Sequence, residues 1–368
     1  MTAVNTVRRG RASAWVQAAF GSRYATVVVA LVALAILSPI LATGSLSQSA
    51  LLSMLPFAAA LAVAGAGQTI VVQQAGIDLS VPGAISLAAM LMNTIAHASN
   101  SMIVPGILVA LAATVASGIL TGFAVSWFSV TPLVATLAVN GLLLGTVLIV
   151  SGGQTAIHTP TDVNALALGR ALGVPNLVWV AIVVLAIVTF VTTKTIYGRR
   201  FIAVGVSPRA ARAAGVNTTR YTVSAFALAG FCYGIAGVML AAFLSVPSIN
   251  VGDNYLLPSI AAVVVGGTAL TGGKGSIVAT ALGALFLSQL NAVVSGTGAP
   301  TWIQDVVQGA IILFALTLRA LITVTQRRIR GSMASAVNPH EVPVPDELPE
   351  AETEPVLAGR PDASDDIH

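Results

Sequence analysis

Long uncharged apolar runs alternate along this chain with short polar interruptions, and the spacing predicts membrane-spanning helices. The runs are Tyr24–Ala42, Leu51–Val72, Leu79–His97, Met102–Phe128, Pro132–Val150, Leu177–Thr195, Tyr221–Ser245, Tyr255–Thr271, Ser276–Val294 and Trp302–Val324. Each is close to the ~20 residues that carry a helix across a hydrocarbon core. The pattern therefore predicts an all-α, polytopic membrane protein of about ten transmembrane helices. Glycine or proline interrupts the second, third and fifth runs, which marks them as broken or re-entrant. Irregular backbone at membrane depth is tolerated only against protein or a water-filled cavity. The first run follows Arg8, Arg9, Arg11 and Arg23 as a signal peptide would. It is longer than the ~7–15 residues of a signal-peptide core, so we read it as an uncleaved span.

Composition agrees. Of the 368 residues 56% are hydrophobic and 8% charged, against about 25% charged in a water-facing domain. A lipid bilayer must cover most of the outside. The cations also follow the span count. With the N-terminus in the cytoplasm, the first four arginines, Lys194, Arg199, Arg200, Arg209, Arg212, Arg220, Lys274, Arg319, Arg327, Arg328 and Arg330 all fall on the inner side, as the positive-inside rule requires. Arg170 falls outside. Trp127, Trp179, Trp302, Tyr24, Tyr197, Tyr221 and Tyr255 sit near run ends as an interfacial belt, and only Tyr233 sits mid-span. Nine of the 13 acidic residues lie between Glu341 and Asp366. The chain thus divides into a basic cytoplasmic segment (1–23), a membrane body (24–324) and an acidic, Pro-rich cytoplasmic tail (325–368). The tail has too little apolar surface to offset the entropy of ordering. The net charge of +4 needs no nucleic-acid partner, because membrane topology already accounts for the arginines.

The chemistry is sparse. Cys232 is alone and the four histidines are scattered, so neither a disulfide framework nor a metal site is expected. No nucleophile elbow, zinc-protease helix or paired His/carboxylate cluster is present, so no catalytic residue is assigned and an enzyme is not expected. Gly273-Lys274-Gly275-Ser276 fails as a phosphate loop: Gly275 stands where Ser or Thr must follow the lysine, and Thr268 where the upstream glycine belongs. The chain itself is expected to bind no ATP. The pairs Gly152-Gly153, Gly266-Gly267 and Gly272-Gly273 read as close-packing positions.

Two segments carry candidate sites. Gly76-Ile77-Asp78-Leu79-Ser80 joins the second and third spans, and a carboxylate at that depth costs about 2.5–3.5 kcal/mol on insertion scales. Asp78 or Ser80 would cap the third span, with Pro82 in its first turn, or Asp78 would lie beside a substrate path; both readings stand. In the inner loop, Ser207 through Gly215 reads as one short helix: Ser207 caps it, Pro208 opens it, and Gly215 takes the left-handed position after its end. Its alanines would let another surface approach, whereas a plain basic juxtamembrane loop would explain the arginines but not the caps. Gln68, Asn93, Asn140, Gln289, Asn291, Asp305 and Gln308 are polar residues inside spans. They either bond between helices or line a path.

Several motifs, in this order along residues 50–320, resemble the permease subunit of bacterial ATP-binding-cassette importers, in the ribose-type sugar branch of the branched-chain amino-acid and monosaccharide permeases. They are Gly76-Ile77-Asp78-Leu79-Ser80-Val81; Pro132-Leu133-Val134-Ala135-Thr136-Leu137 with Gly145 and Gly152-Gly153; Tyr197-Gly198-Arg199-Arg200; Ala203-Val204-Gly205; Ala210-Ala211-Arg212 with Gly215-Val216; and Ala261 through Thr268 followed by Gly272 through Ser276. Asn291 and Gln304 also fall at family-like positions.

The resemblance implies a type II-like importer permease architecture and a shared mechanism. A soluble extracytoplasmic binding protein would deliver a monosaccharide or similar small polar solute. Two permease chains, identical or different, would form the pathway in the inner membrane. Two ATPase subunits, holding ATP and Mg, would drive alternating access through the coupling helix. The coupling residues would be Ser207, Pro208, Arg209, Ala210, Ala211, Arg212, Ala214 and Gly215; the candidate path residues are Asp78, Ser80, Gln68, Thr136, Asn140, Asn291, Gln304 and Asp305. The chain departs from the family pattern at Leu256 and Pro258, where acids are usual, at Arg209, where an acid is common, at Leu144, which replaces an arginine, and at Pro82, which interrupts a Ser-Val-Gly run. The alternatives are a permease for an amino acid or a sugar derivative, and a stand-alone secondary transporter. The latter would favour ionisable residues deep in several spans, where only Asp78 and Asp305 qualify.

Overall fold

Helices form wherever the apolar runs predict them. The computed structural model describes residues 24–155, 158–300 and, beyond these, 302–307, 309, 310, 313 and 317. Nine of the expected spans coincide with helices in the described residues: α1 (Ala25–Leu41), α2 (Gln48–Gln73), α3 (Val81–Ala96), α4 (Ile103–Trp127), α5 (Pro132–Ser151), α7 (Asn176–Lys194), α10 (Thr218–Leu244), α11 (Leu256–Val265) and α12 (Ile277–Gly296). The tenth begins as helix over 302–307; the rest of it, with Gln308, lies largely outside the described residues. So do segment 1–23, the tail 325–368 and their arginines. Among the described residues six helices are long and apolar enough to cross a membrane, α2, α4 with the 3₁₀ turn before it, α5, α7, α10 and α12. The chain is a multi-pass, all-α membrane protein.

Two sets of short elements lie between spans. Between α5 and α7, α6 (Thr161–Leu168) precedes a two-residue hairpin, β1 (Arg170–Ala171) with β2 (Val174–Pro175). Between α7 and α10, α8 (Ile196–Val206) and α9 (Pro208–Ala213) follow in turn.

The expected interruptions resolve differently. The third span is one short helix and not a broken one: α3 has 16 continuous residues, about 24 Å at 1.5 Å per residue, and the extended turn 76–80 that precedes it is held against protein. The second and fifth are continuous, contrary to expectation. α2 runs 26 residues through Pro56. Pro132 is the first helical residue of α5, where its missing N–H would have had no intrahelical partner in any case. α11, at 10 residues, is short because the chain leaves the helix at Gly266-Gly267 for a turn-rich loop to Ser276.

The centre is α2, buried continuously from Ala58 to Gln73, with α10 and α12 against it and α7 and α11 alongside; α3 and α4 pack on α10, and α12 also on α11. Lipid offers no hydrophobic drive for helix association, so close backbone approach and polar clasps supply it. Gly118 and Gly122 on α4 pack against Val223, Phe226 and Ala227 of α10, and Gly230 and Gly234 on α10 pack against Leu111, Thr114 and Val115 of α4. A Cβ at Gly118 or Gly230 would collide with the carbonyl of Phe226 or Thr114, and one at Gly122 would sit 2.6 Å from the Val223 Cα. Thr69 and Thr280 share a hydrogen bond at 2.7 Å between α2 and α12, and Gln289 donates to Ser38 at 3.3 Å. Near the C-terminal ends of α3 and α10 Thr159 donates to Asn93 and to the Ala241 carbonyl. Cys232 is free and buried, and no metal-binding group of three or more ligands occurs among the described residues.

Candidate functional site

Two sites emerge at the same end of the bundle. The first is the turn between α2 and α3. Asp78 is buried, at 2% exposure, and its Oδ1 accepts from the Ser80 N–H at 2.8 Å and the Ser80 hydroxyl at 2.6 Å. Gln68, one turn before the end of α2, reads the Asp78 backbone. With its oxygen facing the Asp78 N–H, it accepts that hydrogen and donates to the Asp78 carbonyl, both at 3.2 Å, and gives its second N–H to the Tyr233 hydroxyl at 3.1 Å. The Tyr233 hydroxyl in turn bonds the Asp78 carboxylate. Among the described residues no cation pairs with Asp78. Its charge is held by donors alone, which is how a buried carboxylate avoids an uncompensated desolvation cost.

The capping expectation at this turn needs correcting. Ser80 is the residue before α3, but its side chain caps nothing; it donates to Asp78 instead. Asp78 satisfies the Ser80 amide, which precedes the helix. The cap comes from α5: Asn140 Oδ1 accepts from the Gly83 N–H at 2.8 Å, and Thr136 Oγ1 accepts from the Leu79 N–H at 3.0 Å. Thr136 and Asn140 are four residues apart, on one face of α5, and so are the two donors. α5 approaches this closely because position 83 is glycine; a Cβ there would lie 2.7 Å from the Leu143 Cβ and 2.9 Å from Asn140 Oδ1.

Five sequence candidates, Gln68, Asp78, Ser80, Thr136 and Asn140, therefore form one network. Three others lie elsewhere. Asn291 is half-buried on α12, Gln304 follows α12 and donates to Ser295 at 2.9 Å, and Asp305 is exposed. Tyr233 completes the network but was not among the candidates. Its signal was present: a mid-span tyrosine must place its hydroxyl on a polar partner.

The second site is the loop between α7 and α10, and its local structure matches the sequence reading. Ser207 accepts from the Ala210 N–H at 3.3 Å, Pro208 opens α9, and Gly215 has φ +76°. Ala211 is buried against its own chain while Ala210 is exposed, so only part of the alanine pair is free to meet another surface. α8 anchors this loop to the bundle. Phe201 is fully buried and its carbonyl accepts from Gln74 Nε2 at 2.9 Å; the Gly273 N–H donates to the Gln73 carbonyl at 2.8 Å. The end of α2 thus touches α8 on one side and the Asp78 turn on the other. Tyr197 shares a 2.6 Å hydrogen bond with Ser224, and burial raises its hydroxyl pKa above the ordinary tyrosine value, which keeps it protonated.

A family description, "branched-chain amino acid transport system / permease component", matches residues 50–316. The chain belongs to this permease family. Three similar relatives are autoinducer 2 import system permease proteins. That of Escherichia coli (strain K12 / DH10B) is 32% identical over 299 residues, covering 80% of this chain and 86% of the relative. The Shigella flexneri protein is 31% identical with the same coverage. The protein of Salmonella paratyphi B (strain ATCC BAA-1250 / SPB7) is 30% identical over 80% of this chain and 85% of its own. No solved structure matches. The permease family match takes in both sites, the Asp78 turn and the α8–α9 loop. The chain is a permease component of a transport system.

Proposed function

We propose that this permease is the membrane subunit of an ATP-binding-cassette importer in a bacterial inner membrane, moving a small sugar-derived polar solute inward. The observation that carries the reading is α9. A six-residue helix capped at both ends, carrying Arg209 and Arg212 and followed by Arg220, is costly to specify in a loop, and it is fastened through α8 to the end of α2. That arrangement transmits a push from a separate nucleotide-hydrolysing subunit into the bundle. In this reading the 194–220 loop and both termini are cytoplasmic, Ser207 to Gly215 meet the ATPase, and ATP and Mg are held there and not by this chain. The solute-binding protein docks on the outer side, and a second permease, identical or different, completes the path.

The path candidates then divide by role. Gln68, Asp78, Ser80 and Thr136 are buried and brace the α2–α3 turn beside the path. Asn140, Asn291, Gln304 and Asp305, which keep open surface, are those that could meet solute. A stand-alone secondary transporter is the weaker reading, because Asp78 is fully engaged by its donors. The family's printed description favours a second solute, a branched-chain amino acid; the relatives' printed names favour autoinducer 2, and the solute class follows them.

The test is purification of the tagged chain from its source membranes, followed by reconstitution with the proteins that accompany it. ATP-dependent uptake of autoinducer 2 or a monosaccharide, lost when the ATPase is omitted, is the expected result. Undiminished uptake by the isolated chain would refute the reading.

A further inference from the structure

Beside the α9 loop, α8 and the start of α10 enclose a cleft of about 510 Å³. Arg200 and Arg220 both line it, with Tyr197, Tyr221 and Ser224. Among the described residues the only acids are Asp78, Asp162, Asp253 and Asp305, none of which lines the cleft, and neither arginine is ion-paired among those residues. The positive-inside rule explains why the arginines share a side. It does not explain why two of them converge on one concavity without a carboxylate. Nor does helix stability: Arg220 stands in the first turn of α10, the positive end of the helix dipole, where a cation is unfavourable and an anion favourable.

The depth of the cleft indicates the anion. Tyr221 stands at the end of the first turn of a 27-residue spanning helix. α4 packs beside α10 with Gly122 against Val223, which brings its exposed terminal aromatics, Trp127 and Phe128, to the level of the α10 start. Aromatic side chains of this kind mark the headgroup layer, and the inner leaflet is rich in anionic lipid. We propose that this cleft binds the headgroup of an anionic phospholipid of the inner leaflet, its phosphate held by Arg200 and Arg220 and its polar rim by the Tyr197–Ser224 hydroxyl pair. Guanidinium forks suit phosphate oxygens. The inference rests on the cytoplasmic assignment of this loop but not on the identity of the solute or on ATPase docking, so it can fail while uptake persists.

The full chain in neutral detergent micelles is titrated with dioctanoyl phosphatidylglycerol, dioctanoyl phosphatidylcholine and glycerol 3-phosphate. Binding is read by native mass spectrometry and by the thermal unfolding midpoint. Saturable binding of phosphatidylglycerol with little of phosphatidylcholine is expected. Arg200→Gln and Arg220→Gln should each weaken it about tenfold, the loss of one charge-assisted pair, while Arg199→Gln, an equal change of net charge outside the cleft, leaves it intact. The contrast between lipids in the wild-type chain needs no variant to fold. Equal binding of the two lipids overturns the proposal. So does glycerol 3-phosphate binding as tightly as the lipid, which would assign a soluble phosphate ester, or an Arg199→Gln loss matching that of Arg200→Gln, which would reduce the effect to diffuse charge.

Discussion

Asn140→Leu isolates the borrowed cap on α3. The side chains are nearly equal in size, so packing against Leu143 and Gly83 changes little, while the only acceptor for the Gly83 N–H disappears. The bond is short, 2.8 Å, and Gly83 is buried, so water does not replace it. Interhelical polar bonds in membrane proteins average about 0.6 kcal/mol, but a donor stranded in an apolar site costs about 1–3 kcal/mol; the stranded donor sets the scale here. Thr136→Val strands the Leu79 N–H in the same way and should cost a similar amount. The double variant should cost less than the two together, since both bonds hold one turn. Unfolding of the purified chain by SDS in mixed micelles gives these differences. Leu142→Val, on the exposed face of α5, is the control and should stay within about 0.5 kcal/mol. If Asn140→Leu is no more destabilising than that control, α5 does not cap α3 and the reasoning fails.

Tyr233→Phe should destabilise by about 1–3 kcal/mol in the same titration, because both Gln68 and Asp78 lose a partner; an unchanged midpoint would remove Tyr233 from the network. Gly118→Val should cost more than about 3 kcal/mol or abolish folding, since its side chain meets the Phe226 carbonyl across the α4–α10 crossing, and wild-type yield and stability would show that the crossing is loose. Ala210→Glu should abolish ATP-driven uptake while leaving membrane insertion and thermal stability intact, with Ala211→Glu unsuited to the purpose because Ala211 is buried in its own chain; retained uptake would discard α9 as the docking element. Ser207→Ala should fray α9 and reduce uptake with a stability loss of only about 1 kcal/mol, and equal uptake would show that the cap is dispensable.

The elements were legible in the sequence because their causes are local. A bilayer demands runs of a set length, so eight of the nine spans from Tyr24 to Val294 were placed to within a few residues; the exception, Tyr255–Thr271, leaves the helix at Val265. Helix α9 could be read because Ser207, Pro208 and Gly215 act on their own backbone. The Gly118/Gly122 and Gly230/Gly234 pairs were also present as four-residue spacings, although nothing local said which backbone each would meet. Pairing across the fold is what only the tertiary structure decided. The donors at the α3 start sit at 79 and 83 and their acceptors at 136 and 140, on a helix whose rotation no local pattern fixes. Gln68, Asp78 and Tyr233 come from α2, the turn and α10. Local chemistry required that the buried Asp78 find donors; only the packing of those three elements determined which ones it found.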